Sequence, residues 1–300
     1  MKMKFGIVTP VVTLSQRSHA DWERGAGPVE IRRIAGAADR LGYAYLTCSE
    51  HIAIPESAVA TRGGRYYDPA ATLGFIAAFT QRIRLLTHVI VLPYHHPLTL
   101  AKRYGTLDML SDGRLTLGVG VGSLEEEFDL LGVPFADRGP RFEDALRALR
   151  ASFGHATPEY SGSHYAFSGF RVDPHSLQSR PPIWLGGRSP RSLRRALEFA
   201  DGWNPFLLHS EELRRILDKA RGSAAWATRH AAAADFDIAL TPEQPFALET
   251  EPDFETARSI VRTFRAIGAT ALNVRFQHHS ADHYVDLLRR FAERVMPEFP

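Results

Sequence analysis

The chain has 300 residues, 44% of them hydrophobic and 23% charged, and its 36 basic against 34 acidic side chains leave a formal net charge of +2. That balance demands neither nucleic acid nor an anionic membrane as partner, and the hydrophobic content excludes a largely disordered chain. A single cysteine, Cys48, excludes an intrachain disulfide and a thiolate metal cluster.

Residues 4–10 form the first predicted strand. No apolar run of about 7–15 residues marks a signal peptide, and none near 20 could span a membrane, so a cytoplasmic protein is expected. A polar loop at 11–27 precedes a helix whose Ile31, Ile34, Ala35, Ala38 and Leu41 form the stripe that lies against a sheet. Strand 43–49 carries Cys48 as a packing thiol and delivers Ser49, Glu50 and His51 to its end. A loop at 52–67 follows, then a run at 69–79 that is apolar on more than one face.

Strand 84–92 is β-branched and interrupted by His88. Pro97 opens a helix with Leu98, Ala101, Tyr104, Gly105 and Asp108 at helical spacing, Gly113 stops it, and strand 114–121 runs into a glycine-rich turn. That is one β-α-β unit of a parallel sheet. Glu125, Glu126 and Glu127 stand at a helix start, where acids complement the helix dipole. An insertion at 153–182 is rich in Ser, Gly, Pro and aromatics. Strands at 182–186, 202–206, 235–241 and 270–277 alternate with helices marked by Leu193, Ala196, Leu197 and Ala200, then by Ala257, Ile260, Val261, Phe264 and Ile267. A closing helix carries Tyr284, Leu287, Leu288, Phe291 and Val295.

Eight such repeats predict one (β/α)8 TIM barrel over residues 1–300, with 153–182 as an insertion within it. The three long loops are expected at or near the top of the barrel, as a lid. Strand C-termini converge there, bringing together Thr9, His51, His88, Tyr94, Ser123, Asn204, Arg275 and Gln277 as a polar rim. Gly186-Gly187-Arg188-Ser189 precedes a helix, so backbone amides, the dipole and both side chains can cradle an anion. Gly118, Gly120 and Gly122 have the period-two spacing of a strand; they are expected to make room for a flat ring rather than to form a dinucleotide turn. His278 and His279 lack a third partner at metal spacing, and no metal site is expected.

The wording of 96–122, HPL-x-x-AK-x-x-x-TLD-x-LS-x-GR-x-x-LGVG-x-G, followed by an EF pair and GVPF, resembles the bacterial-luciferase-like oxidoreductases. The resemblance continues through Arg138, the helix from Arg141, PPIWLGG-x-S up to Ser189 and ADGW up to Trp203. It is closest to the branch assigned to the deazaflavin coenzyme F420. It implies the same barrel and a cofactor-phosphate loop at Gly186, Gly187, Arg188 and Ser189. It also implies a non-proline cis peptide at His88–Val89 behind the cofactor ring; Thr87, His88, Val89 and Ser123 are the candidate cofactor-binding residues on that side.

Glu50-His51 matches the acidic-His pair at the ring's reactive face in related sugar-phosphate dehydrogenases. His51 would handle the proton with Glu50 beside it, or with Glu125, Glu126 or Glu127 as a replacement carboxylate, Glu126 the one expected. Arg275 would meet an anionic substrate or the cofactor tail. Pro55 and Ser123 stand where those dehydrogenases carry a tryptophan and a catalytic glutamate, which argues against sugar-phosphate oxidation. The expected activity is hydride transfer between coenzyme F420 and a small organic substrate with a C=C, C=N or C–OH group. Two alternatives are an FMN-dependent monooxygenase fed reduced flavin by a separate reductase, and a non-catalytic flavin-binding barrel. Related barrels pair through the helices after strands two and three, which implies a homodimer.

Overall fold

Eight parallel strands close on themselves in the computed structural model, which describes residues 2–14, 19–231 and 235–300. Residues 15–18 of the predicted 11–27 loop lie outside them. The strands are β1 (Lys4–Ile7), β2 (Tyr45–Cys48), β3 (Arg84–Thr87) with its continuation β4 (Ile90–Val91), and β5 (Leu115–Gly120). A hairpin of β6 (Tyr160–Ser161) and β7 (Ala166–Phe167) stands outside the barrel, and β8 (Ile183–Leu185), β9 (Gly202–Trp203), β10 (Asp237–Leu240) and β11 (Ala271–Val274) complete it. β1 pairs with both β2 and β11, while β3 pairs with β5, so the predicted (β/α)8 barrel leaves no open edge.

Every observed strand is shorter than predicted, for local reasons. Pro10 and Pro205 have no N–H to give a ladder. Beyond Val274 the chain leaves β10 and pairs with the loop after it: Phe246 N–H donates to Arg275 O and Gln277 N–H to Phe246 O.

The helices are α1 (Pro28–Arg40), α2 (Val59–Arg62), α3 (Pro69–Ala77), α4 (Pro97–Leu110), α5 (Glu125–Leu130) and α6 (Arg138–Ser152). After β8 come α7 (Pro190–Phe199), α8 (Ser210–Arg221), α9 (Ala224–Ala231), α10 (Glu251–Ile267) and α11 (Ala281–Arg294). The predicted stripes are the buried faces: Leu193, Ala196 and Leu197 in α7, and Tyr284, Leu287, Leu288 and Phe291 in α11. These fill the layer between helices and strands. Tyr45, Leu86, Trp184, Ala239 and Ala271 fill the barrel's interior, where the Tyr45 ring meets Trp184 edge-on at 5.2 Å.

The 153–182 insertion does not leave from the top. Barrel helices run antiparallel to the strands, so the segment after α6 starts at the opposite rim. Its hairpin then climbs back along α6: Asp144 accepts from Tyr160 Oη at 2.6 Å and from the His164 and Tyr165 N–H groups at 2.7 and 3.0 Å. At the hairpin's tip, His164 Nε2 lies 2.9 Å from Asp137 Oδ2. The first loop does cross the top. Glu23 accepts from Val11 N–H at 2.7 Å and Ala20 N–H at 2.8 Å, and Trp22 Nε1 donates to His278 Nδ1 at 2.9 Å.

Candidate functional site

Alternation along each strand decides which rim residues face the barrel mouth, since side chains two apart share a face. Starting from the interior residues, Thr47 and Ser49 follow Tyr45, His88 follows Leu86, and Gly186 follows Trp184. In the same way Asn204 follows Gly202, which pairs with Trp184, and Asn273 and Arg275 follow Ala271. A polar chain crosses this mouth. Tyr45 Oη donates to Asn273 Oδ1 at 2.8 Å, and Asn273 Nδ2 donates to Asn204 Oδ1 and Thr241 Oγ1, both at 2.9 Å. Asn204 Nδ2 is buried and, among the described residues, has no partner.

His88 is half-buried beside Asn204. Burial pushes its imidazole down to about 4 against the opposing pull of the Asn204 side chain, so it is neutral at pH 7. The His88–Val89 peptide is cis, as the resemblance implies. Ser49 Oγ donates to His88 O at 2.8 Å, and His88 N–H donates to Cys48 O at 2.7 Å.

The glycines of the fourth barrel strand do not clear space for a ring; they admit protein atoms. A Cβ on Gly118 would lie 1.8 Å from Thr87 O, and one on Gly120 would lie 2.6 Å from Val89 Cγ2. Thr87 itself is fully buried and faces away from the mouth, its hydroxyl donating to Gly118 O at 2.7 Å.

Glu50 and His51 do not pair, because neighbours on an extended segment point to opposite sides. Glu50 is buried; it accepts from Val91 N–H at 2.7 Å, and its other oxygen lies 2.9 Å from His95 Nε2. The carboxylate partner of His51 is Glu127, with Oε2 2.8 Å from His51 Nδ1. Glu127 also accepts from Tyr94 Oη at 3.0 Å and from the Ile52 and Ala53 N–H groups at 2.5 and 3.1 Å. Burial works to raise its pKa, but these bonds prevail and hold the carboxyl below its ordinary value. Glu125, Glu126 and Ser123 are exposed. The sequence offers Glu125, Glu126 and Glu127 alike, as a solvated helix start or as candidate carboxylates, and does not single out Glu127. Two signals could have done so: it is the acid of the EF pair, and it shares a face with Leu124 and Phe128.

Gly186 to Ser189 form the turn that enters α7. Ser189 caps α7, its Oγ accepting from Ser192 N–H at 3.2 Å. Ser192 Oγ donates back to Ser189 O at 2.7 Å and accepts from Trp203 Nε1 at 3.1 Å. Gly187 has φ +106°, and a Cβ there would lie 2.8 Å from Ser192 Cβ, so the turn requires glycine. Gly186 N–H is used by Val119 O at 2.8 Å. Among the described residues the Gly187 and Arg188 N–H groups have no partner, and no carboxylate pairs with the exposed Arg188 and Arg191. Arg275 is half-buried on the mouth's inner wall. Its Nη2 donates to Pro242 O at 2.7 Å and Glu243 O at 2.9 Å, and no carboxylate among the described residues pairs with it.

Comparison with known proteins agrees with this architecture. An uncharacterised protein of Mycobacterium tuberculosis is 30% identical over 200 residues, which cover 63% of this chain and 69% of that one. The monooxygenase RslO1 of Streptomyces bottropensis superposes with a TM-score of 0.79 at 23% identity, covering 99% of this chain and 100% of that one. The coenzyme F420-dependent tetrahydromethanopterin reductase of Methanopyrus kandleri gives 0.74 at 16% identity, with both chains fully covered. At these identities the two structures speak for the fold. The luciferase-like monooxygenase family matches residues 3–294, and with that span the chain belongs to the family.

Proposed function

We propose that this protein is an oxidoreductase that holds coenzyme F420 and exchanges a hydride between it and a small organic substrate. The observation that carries the reading is the open, cationic turn at the start of α7: amides at Gly187 and Arg188 that have no partner among the described residues, the Ser189 hydroxyl, and the exposed Arg188 guanidinium, which no carboxylate among those residues meets. Such a cradle suits phosphate, and its exposure leaves room for a tail longer than that of FMN. Val89 and His88 would support the ring from the third barrel strand, and the unpartnered Asn204 amide would meet a ring or substrate oxygen. Ser123, exposed at the rim, would flank the cofactor. The bound deazaflavin supplies the carbon that carries the hydride. The protein's part is orientation, exclusion of water and a proton position at His51.

The test is a fluorescence titration of the purified protein with F420 and with FMN. F420 binding at least about tenfold tighter than FMN, a difference near 1.4 kcal/mol, supports the reading. Tighter FMN binding favours a monooxygenase fed by a partner reductase, and binding of neither sinks both. A homodimer goes with the proposal: α3 exposes Ala71 and Phe75, with Phe75 packed edge-on to Phe79 at 5.0 Å. Sedimentation as a monomer alone would refute that part.

A further inference from the structure

The Glu127 carboxylate receives four donors. Oε2 faces His51 Nδ1 at 2.8 Å and Tyr94 Oη at 3.0 Å, while Oε1 accepts from Ile52 N–H at 2.5 Å and Ala53 N–H at 3.1 Å. An ionised carboxylate can only accept, so the hydrogen shared with the imidazole sits on His51 Nδ1. A neutral imidazole carries one hydrogen, and Nε2 is therefore left with a lone pair. Tyr66 packs edge-on against the ring at 4.5 Å, and among the described residues Nε2 has no partner. The ring keeps 19% of its side-chain surface exposed, on a residue that continues the inward-facing positions of β2.

We propose that Glu127 is a positioning residue that fixes both the orientation of His51 and its Nδ1–H tautomer, so that Nε2 stands in the barrel mouth as the proton acceptor. One carboxylate does both tasks, because its second oxygen ties the backbone of residues 52–53 to the first turn of α5. A glutamine at 127 has the right size but the wrong chemistry. Its amide nitrogen would meet either the Ile52 and Ala53 N–H groups or the His51 and Tyr94 donors, and donor would face donor. The inference rests on the proposed function only for the use made of the proton acceptor.

The experiment is nitrogen-15 NMR of histidine-labelled protein without cofactor, with the His51 signals assigned by their loss in His51→Asn. A charge-assisted bond of this kind should favour the Nδ1–H form over Nε2–H by at least about tenfold in the wild type. Glu127→Gln should bring the ratio to within about threefold. Tyr94→Phe, which keeps the carboxylate, should leave the Nδ1–H form dominant. A wild-type ratio near one, a dominant Nε2–H form, or a Glu127→Gln spectrum identical to the wild type would overturn the proposal. Should Glu127→Gln fail to fold, the wild-type ratio decides alone. A failed F420 titration would sink the cofactor reading and leave the tautomer untouched, so the two failures are distinguishable.

Discussion

Val89 fills the space that a side chain on Gly120 would need: a Cβ there would lie 2.6 Å from Val89 Cγ2. Gly186 sits under the same side chain, its Cβ position 3.0 Å from Val89 Cγ1. Gly120→Ala should therefore destabilise the fold by about 1–3 kcal/mol through overpacking. Val89→Ala in the same chain should recover most of that loss. Denaturant unfolding of the two single variants and the double variant measures the coupling, and independent effects would refute the contact.

The Glu50–His95 pair separates a structural carboxylate from a reacting one. Both side chains are nearly covered, and Glu50 spends its second oxygen on Val91 N–H, in the continuation of the strand that carries the cis peptide. Removing one partner strands a buried charge, so His95→Ala should cost about 3 kcal/mol of stability. Cofactor affinity should follow stability. If Glu50→Gln instead lost turnover with an unchanged melting temperature, Glu50 would be a reacting group.

The barrel was legible because its signals are periodic. The α7, α10 and α11 stripes and the eight apolar runs need only spacing to be recognised, and the GG-R-S turn before a helix carries its own chemistry. The carboxylate that meets His51 is harder to read, for a reason of the same kind. Glu125, Glu126 and Glu127 look alike in composition, and only the 100° turn between successive helix positions puts Glu127 inward and Glu126 outward. The Tyr45–Asn273–Asn204 chain joins residues up to 228 positions apart, and no local pattern announces such a contact. The rim from which the 153–182 insertion leaves is not legible either, because its composition marks a loop without saying at which end of the barrel it lies.

His88 makes stability depend on pH. Its imidazole falls from the ordinary 6.5 to about 4 in the folded chain, chiefly by burial. Between those values the unfolded chain binds more protons, so this contribution is fully present above about pH 6.5 and lost as pH falls through 4. His278, also pushed down to about 4 by burial, adds the same slope, while Glu23 beside it, raised by burial, opposes it. The melting temperature should drop from pH 7 to 4.5, and by less in His88→Asn. Equal drops would show that His88 titrates normally.

His51 should separate an enzyme from a silent barrel. With F420 and a panel of small alcohols, enones and imines, His51→Ala is expected to lower turnover by roughly 10²–10⁴-fold while cofactor affinity stays within about tenfold. His51→Asn, which keeps a hydrogen bond to Glu127, should be nearly as slow. Unchanged turnover in both variants would move proton handling elsewhere, with His88 the next imidazole in the mouth.

Among the described residues neither Arg188 nor Arg275 pairs with a carboxylate, but water screens the two differently. Arg188 is exposed, its guanidinium 5.8 Å from the Phe206 ring, so Arg188→Ala should change stability by less than about 0.5 kcal/mol. If it contacts the cofactor's phosphate, F420 affinity should fall by about tenfold at low salt, and the loss should shrink in high salt as screening weakens the wild-type contact. Arg275 is half-buried and held by two carbonyls, so the effect of Arg275→Met should survive high salt. Titrations of F420 at two ionic strengths decide between them. A loss confined to Arg275→Met would place the tail across the mouth by β11, and the cradle at α7 would then have no cofactor phosphate to hold.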